Sequence, residues 1–211
     1  AGHHELLTSK DVFGWDEKTQ PSSVPRETKQ ELMKQDSKGY TCLHWAAAKG
    51  HKEIVEYLVN NLGMNVDAIG DRRRTPLHVA CENGHTIIVK FLLEKGVSSI
   101  LRDARSYNCL DIVIIGQYEE LVKEILNHGS WRDMMRNAQP ISGTEAFDTP
   151  MRKLIRHVPN VAAWLIDEKF TTIVGGPGHK VYKRIYDYEF YEDMYKVRDW
   201  YSKGKHYIDL S

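Results

Sequence analysis

The sequence predicts a mainly α-helical protein: a solenoid of stacked two-helix repeats, followed by a helix-turn-helix and a short β-strand pair. Three observations predict it. A short block of residues recurs at offsets of 34 and 33, each copy is followed by apolar residues at helical spacing, and from about Trp131 this period gives way to proline-started helices and an alternating aromatic stretch.

The repeat region justifies itself element by element. Asp36–Ala46 aligns with Asp71–Ala80, which superposes Leu43 on Leu77, His44 on His78 and then Gly50-His51 on Gly84-His85. A third copy, Asp103–Ile112, keeps the leucine as Leu110 and loses the histidine. Thr75-Pro76 marks a helix start, with threonine as the cap and proline at the first helical position, where its missing N–H removes no helix hydrogen bond. Leu77, Ala80 and Cys81 give that helix one apolar face. After the Gly84-His85 break, Ile88, Val89, Leu92 and Leu93 form the apolar stripe of a second helix, matched in the first copy by Ile54, Val55, Leu58 and Val59. Such a helix pair cannot bury both of its faces alone, and stacking on neighbours supplies the stability. The period and the helix pair together identify ankyrin repeats, expected over 36–70, 71–102 and 103–130.

Upstream, Gly2-His3-His4-Glu5-Leu6-Leu7 reads like Gly50-His51-Lys52-Glu53-Ile54-Val55, so residues 1–20 are expected to be a partial repeat without its first helix. A polar, proline-bearing inserted loop is expected over 21–35, and further repeats are expected before residue 1.

Residues 131–211 depart from the repeat. Thr149-Pro150 opens a helix that includes Arg152–His157, and Pro159 opens another containing Val161, Ala162, Trp164, Leu165 and Ile166, a helix-turn-helix over 149–169. Gly175-Gly176-Pro177-Gly178 is a turn. Beyond it, in an aromatic strand region over 181–210, alternation from Tyr182 to Phe190 puts Tyr182, Arg184, Tyr186, Tyr188 and Phe190 on one side of a β-strand. That strand needs a partner, expected either near Lys205 to Leu210 or outside the chain.

Composition narrows the function classes. The 29 lysines and arginines balance 29 aspartates and glutamates, so there is no bulk attraction to nucleic acid, and no nucleic-acid partner is expected. The longest apolar run, Val161–Ile166, falls far short of the roughly 20 residues of a membrane-spanning helix. The amino-terminal residues Ala1 to Glu5 have no basic segment before an apolar one, as a secretory leader would. Three cysteines fit a reducing, cytosolic setting. No nucleophile and base can be placed together, and Gly175–Lys180 lacks the serine or threonine of a phosphate loop, so an enzyme is not expected. Histidine and cysteine spacings match no zinc site, and no metal is expected.

One set of residues carries a resemblance. The third repeat with Cys109-Leu110-Asp111, then Ile125–Arg132, Thr149–Ile155 with Pro159, Leu165-Ile166-Asp167 and Tyr186–Phe190 resemble, in this order, the membrane-proximal end of the ankyrin domain and the following coupling linker of TRPA-type transient receptor potential cation channels. The resemblance implies a cytosolic regulatory and coupling region, on the cytoplasmic side of the plasma membrane, of a homotetrameric, non-selective, calcium-permeable channel. Its partners would be the preceding ankyrin repeats, the transmembrane region and a carboxy-terminal coiled coil. It implies no cofactor in this segment and an inositol polyphosphate in the intact channel. The reactive linker cysteines of the electrophile-sensing branch have no counterpart, because Thr149 and Lys169 stand at those positions. The alternative reading is a soluble ankyrin adaptor that binds a protein partner.

The candidate site residues fall into three groups. Leu43, His44, Gly50, Leu77, His78, Gly84 and Leu110 are structural repeat positions. Arg152, Lys153, Arg156 and His157 crowd one flank of a helix and are the candidate polyphosphate site that the resemblance implies. Arg72, Arg73 and Arg74 form a basic cluster at an expected inter-repeat hairpin tip, a candidate for lipid, phosphate or partner contact.

Overall fold

The structure, a computed structural model, describes residues 32, 34–144, 147–174, 183–187 and 189–190. The partial repeat at 1–20, most of the inserted loop at 21–35, the glycine-rich turn at 175–178 and residues 191–210 of the aromatic region lie outside the described residues. The chain divides into two compact units, Ala1–His128 and Gly129–Ser211.

Among the described residues, the first unit contains three helix pairs: α1 (Cys42–Lys49) with α2 (Lys52–Asn60), α3 (Pro76–Glu82) with α4 (Thr86–Glu94), and α5 (Cys109–Ile115) with α6 (Glu119–Asn127). First helices pack on first helices and second on second, so each repeat closes the face its neighbour leaves open. The core between them takes Leu43, Ala46 and Ala47 of α1, Leu77, Ala80 and Cys81 of α3, and Leu110, Val113 and Ile114 of α5. Val55 and Leu58, then Ile88, Val89, Leu92 and Leu93, then Leu121, Val122, Ile125 and Leu126 seal the second-helix layer.

Each first helix ends where the backbone turns left-handed, at Gly50 (φ 80°), Gly84 (φ 69°) and Gln117 (φ 58°). At the first two positions glycine answers a second demand as well. A β-carbon on Gly50 would stand 2.8 Å from the His85 ring, and one on Gly84 would stand 2.8 Å from the Tyr118 ring. His85 and Tyr118 begin the second half of the following repeat, and they reach back to the Ala48 and Glu82 carbonyls at 3.0 and 3.2 Å.

The register of the second repeat differs from the expected alignment by one residue. Asp36 and Asp103 each accept two backbone N–H bonds from their own turn, from Lys38 and Tyr40 and from Arg105 and Tyr107. Their backbone N–H groups donate to Tyr40 and Tyr107, and the counterpart in the second repeat is Gly70, which donates to Arg74. Gly70, not Asp71, therefore stands in the aspartate place, where the Tyr40 ring of the preceding repeat would clash with any β-carbon at 2.1 Å.

The second unit begins with the short helix α7 (Trp131–Met135) and a two-residue antiparallel pairing of β1 (Gln139–Pro140) with β2 (Phe147–Asp148). The helix-turn-helix follows as α8 (Pro150–His157) and α9 (Pro159–Leu165), each opened by proline, with Thr149 Oγ1 accepting the Arg152 N–H at 3.3 Å. A π-helical turn over Ile166–Phe170 leads into β3 (Thr171–Val174), which pairs antiparallel with β4 (Lys183–Tyr186), Thr171 opposite Tyr186. This corrects two expectations. The aromatic strand finds its partner in Thr171–Val174, immediately after the helix pair, and it stops at Tyr186. Its end is set by Asp187, whose N–H donates to the Phe170 carbonyl at 2.7 Å, and by a turn in which the Glu189 N–H donates to Asp187 Oδ1.

Candidate functional site

The repeat histidines are interior ties. Nδ1 of His78 accepts from the Thr75 N–H at 3.3 Å and lies 2.7 Å from Thr75 Oγ1, while Nε2 donates to the Leu101 carbonyl at the end of its own repeat at 3.1 Å. His44 makes the same cap with Thr41, and its Nε2 donates to the Arg74 carbonyl of the following repeat at 3.1 Å. Each imidazole thus caps its own helix; His44 also fastens the following repeat, and His78 holds the loop that leads into it. Desolvation by burial lowers both pKa values, which favours the neutral ring that this bonding pattern requires. In the third repeat Asp111 stands at this place and exchanges bonds with Asn108, keeping the cap while supplying no ring N–H to a further repeat. Leu43, Leu77 and Leu110 are buried beside these ties.

All three thiols are interior. Desolvation pushes Cys42 up to about 12, and burial together with the neighbouring Cys109 thiol raises Cys81. A raised thiol pKa suppresses the nucleophilic thiolate.

The basic group of α8 does not share one surface. Lys153 is 1% exposed, among the most buried side chains of the described residues, while Arg152 and Arg156 stay exposed and His157 half-buried. Lys153 therefore leaves the candidate polyphosphate cluster, because it sits on the helix side that also carries Met151 and Leu154. Arg152 donates to the Phe147 carbonyl at 2.9 Å and Arg156 to Asp148 at 3.2 Å, fixing α8 to β2.

The arginine triplet also divides. Arg72 and Arg73 hold successive left-handed conformations (φ 53° and 57°) at the fingertip, a tight turn rather than a strand hairpin. Arg74 turns inward and clamps Glu82 with two bonds at 2.7 and 3.0 Å, its side chain 15% exposed, so it drops from the contact cluster.

The densest polar constellation lies in the second unit and was only half visible in the sequence. Arg132 of α7 donates to Glu189 Oε2 at 2.6 Å and to Asp187 Oδ2 at 2.9 Å. Arg136, one turn on, donates to Glu189 Oε1 from Nε and Nη2 at 2.9 and 2.6 Å and to Asp133 at 2.7 Å, and Glu189 above all holds its pKa above the ordinary value. Beneath the ion pairs, Trp131, Phe170 and Phe190 meet with ring centroids 5.6 to 6.0 Å apart. The Arg132 guanidinium lies 4.7 Å from the Trp131 ring. This latch joins three places distant in sequence: the start of α7, the end of the π-helical turn and the residues after β4. Two arginines meet three carboxylates here, Asp133 on the helix and Asp187 and Glu189 in one turn, which makes the cluster sensitive to salt. Trp131-Arg132 and the Tyr186–Phe190 stretch, with Asp187 and Glu189 inside it, stand out in the sequence; Arg136 and Phe170 do not, although Arg132 and Arg136 at i, i+4 are a usable signal.

Among the described residues no helix is long and apolar enough to cross a membrane. The family described as ankyrin repeats, in three copies, matches residues 23–103 and 62–138, together more than half of the chain. The chain belongs to the ankyrin-repeat family. This ankyrin-repeat chain is 36% identical over 87 residues to a palmitoyltransferase of Drosophila melanogaster, a match covering 41% of the chain and 14% of that protein. It is 34% identical over 102 residues to the human transient receptor potential cation channel subfamily A member 1, covering 47% of the chain and 9% of the channel. It is 23% identical over 211 aligned residues to the Caenorhabditis elegans homologue of that channel, covering 79% of the chain and 17% of the homologue. The chain thus spans less than a fifth of the length of each of these relatives.

Proposed function

We propose that this chain is the cytosolic regulatory and coupling region of a tetrameric, non-selective, calcium-permeable cation channel of the TRPA type, which passes thermal, chemical or mechanical stimuli to the pore. The observation that carries the reading is the reach of the nematode channel homologue's alignment. Its 79% of 211 residues is about 167, whereas the ankyrin-family match ends at residue 138, so the likeness runs into the second unit. The palmitoyltransferase matches cover less, 41% of the chain for the Drosophila melanogaster protein and 64%, about 135 residues, for the Danio rerio one. The second unit is also where the residues that resemble the TRPA linker, Trp131-Arg132 and Tyr186–Phe190, bracket the latch.

In this reading the repeats are a stiff stack, and the latch is the element with two packings. A stimulus opens the channel to the extent that it interacts differently with latched and unlatched forms. A polyphosphate ligand, in the same reading, would meet Arg152, Arg156 and His157, while Lys153 stays inside. Expressing the full gene product in cells that lack such currents and recording membrane current tests the proposal. A weakly selective, calcium-permeable current is expected. A protein that stays in the soluble fraction and carries no current would replace this reading with the ankyrin adaptor.

A further inference from the structure

The fingertips of the three repeats carry a ladder that net charge conceals. Counting back from the helix caps Thr41, Thr75 and Asn108, the third residue before the cap is Lys38, Arg72 and Arg105, basic in every repeat and exposed in every repeat. Arg73 and Arg102 add two more exposed cations beside the line. The aspartates of these loops offset part of its charge and leave a net excess of two cations, three aspartates against Lys38, Arg72, Arg73, Arg102 and Arg105. Asp36 turns back onto its own loop and the Trp45 indole N–H, Asp103 is buried and paired with Arg105, and the second repeat has glycine at this place. Only Asp71 stays exposed among these loops' described carboxylates, 3.8 Å from Arg72, whose side chain remains 70% exposed. The tips are held in line: the Ala104 N–H donates to the Arg72 carbonyl at 2.8 Å, tying the third finger to the second.

We propose that this ladder docks an extended acidic polypeptide segment whose carboxylates recur every third residue. Packed helices lie about 8–10 Å apart, so equivalent fingertip residues advance by about that step per repeat. An extended chain rises about 3.3 Å per residue, and side chains three apart stand about 10 Å from each other. The two spacings agree, so a segment running across the fingers meets Lys38, Arg72 and Arg105 in turn. A charged bilayer would also be drawn to five cations, but it imposes no spacing. The single-file arrangement therefore favours the peptide. Exposed pairs are individually weak, so the complex should be low in affinity and strongly dependent on salt.

The test uses the whole 211-residue chain and two fluorescein-labelled serine-glycine nonapeptides with three glutamates each, either three residues apart or adjacent, followed by fluorescence anisotropy at about 20 mM salt, where screening is weak. The spaced peptide should bind about fivefold or more tightly than the clustered one, each well-placed exposed pair contributing modestly. The double variant Lys38→Glu/Arg72→Glu should weaken it about tenfold. Lys52→Glu/Lys90→Glu, with the same change in net charge on the second helices, should change it less than about twofold. Circular dichroism confirms that both variants fold. Equal binding of the two peptides, equal losses in the two variants, or no peptide binding would each overturn the proposal. Phosphatidylserine vesicles that bind the chain and lose it in the fingertip variant, without peptide binding, would overturn it in favour of a membrane surface.

Discussion

Replacing His78 with alanine removes three things at once, and the structure gives each a size. The imidazole half of the cap disappears, worth about 1 kcal/mol, while the backbone N–H of residue 78 still donates to Thr75 Oγ1. The Leu101 carbonyl, in the loop leading to the next repeat, loses its donor at a half-buried position, costing about 1–2 kcal/mol. The imidazole leaves a hole between α3 and its neighbours in a site only 1% exposed, costing about 1–2 kcal/mol more. The expected loss is therefore about 3–5 kcal/mol, a large share of the roughly 5–15 kcal/mol that holds a typical domain together. Urea titration of the 211-residue chain followed by far-ultraviolet circular dichroism measures it. With a slope of about 1–3 kcal/mol per molar urea, the midpoint should fall by more than about 1 M. His85→Ala removes one bond at a more exposed place and should cost about 1 kcal/mol. A His78→Ala loss no larger than that of His85→Ala would refute the idea that this imidazole holds the helix cap and the outgoing loop together.

Three further outcomes follow from the same geometry. Burial holds His44 and His78 below the ordinary histidine pKa, so the unfolded chain binds their protons first and stability is lost as pH falls through about 6.5, by at most about 1.4 kcal/mol per pH unit for each ring; urea midpoints between pH 8 and 5 should show this slope, and the His78→Ala variant should flatten it. Gly84→Ala forces a β-carbon into a left-handed backbone and to 2.8 Å from the Tyr118 ring, so it should destabilise by about 1–3 kcal/mol, read as a drop in thermal midpoint. The buried thiols should resist Ellman's reagent at pH 8 in the native chain and react fully once guanidinium is added; rapid native labelling would contradict the interior placement of Cys42 and Cys81.

What the sequence made legible was local. Thr75-Pro76 and Thr149-Pro150 state their helix starts in two residues, and the Leu-His pairs at 43–44 and 77–78 give the repeat period. The errors were of one residue or one rotation. Aligning Asp36 with Asp71 followed residue type, whereas the deciding fact, the Tyr40 ring against Gly70, lies in another repeat. Lys153 and Ile155 exchanged the places their polarity suggests, Lys153 at 1% and Ile155 at 57% exposure, because α8 turns its Met151 and Leu154 side inward and Lys153 lies on the same side. Thr171-Thr172-Ile173-Val174 is a β-branched run that announces a strand, but nothing local assigns it to the aromatic strand in preference to Lys205–Leu210 or a segment outside the chain. The latch was least legible, since no local pattern says that Arg132 will meet Glu189 57 residues later.

In the proposed channel, the second unit would couple stimulus to pore through this latch. Basal open probability in patches from cells expressing the full-length protein, compared across Arg132→Gln, Glu189→Gln and the double variant, tests it most directly. Each single variant should shift open probability several-fold in the same direction, and the double variant by less than the two effects combined, because the Arg132–Glu189 pair is lost only once while the Arg132–Asp187 and Arg136–Glu189 pairs are lost separately. Open probability unchanged in all three variants, or shifts that simply add, would contradict it.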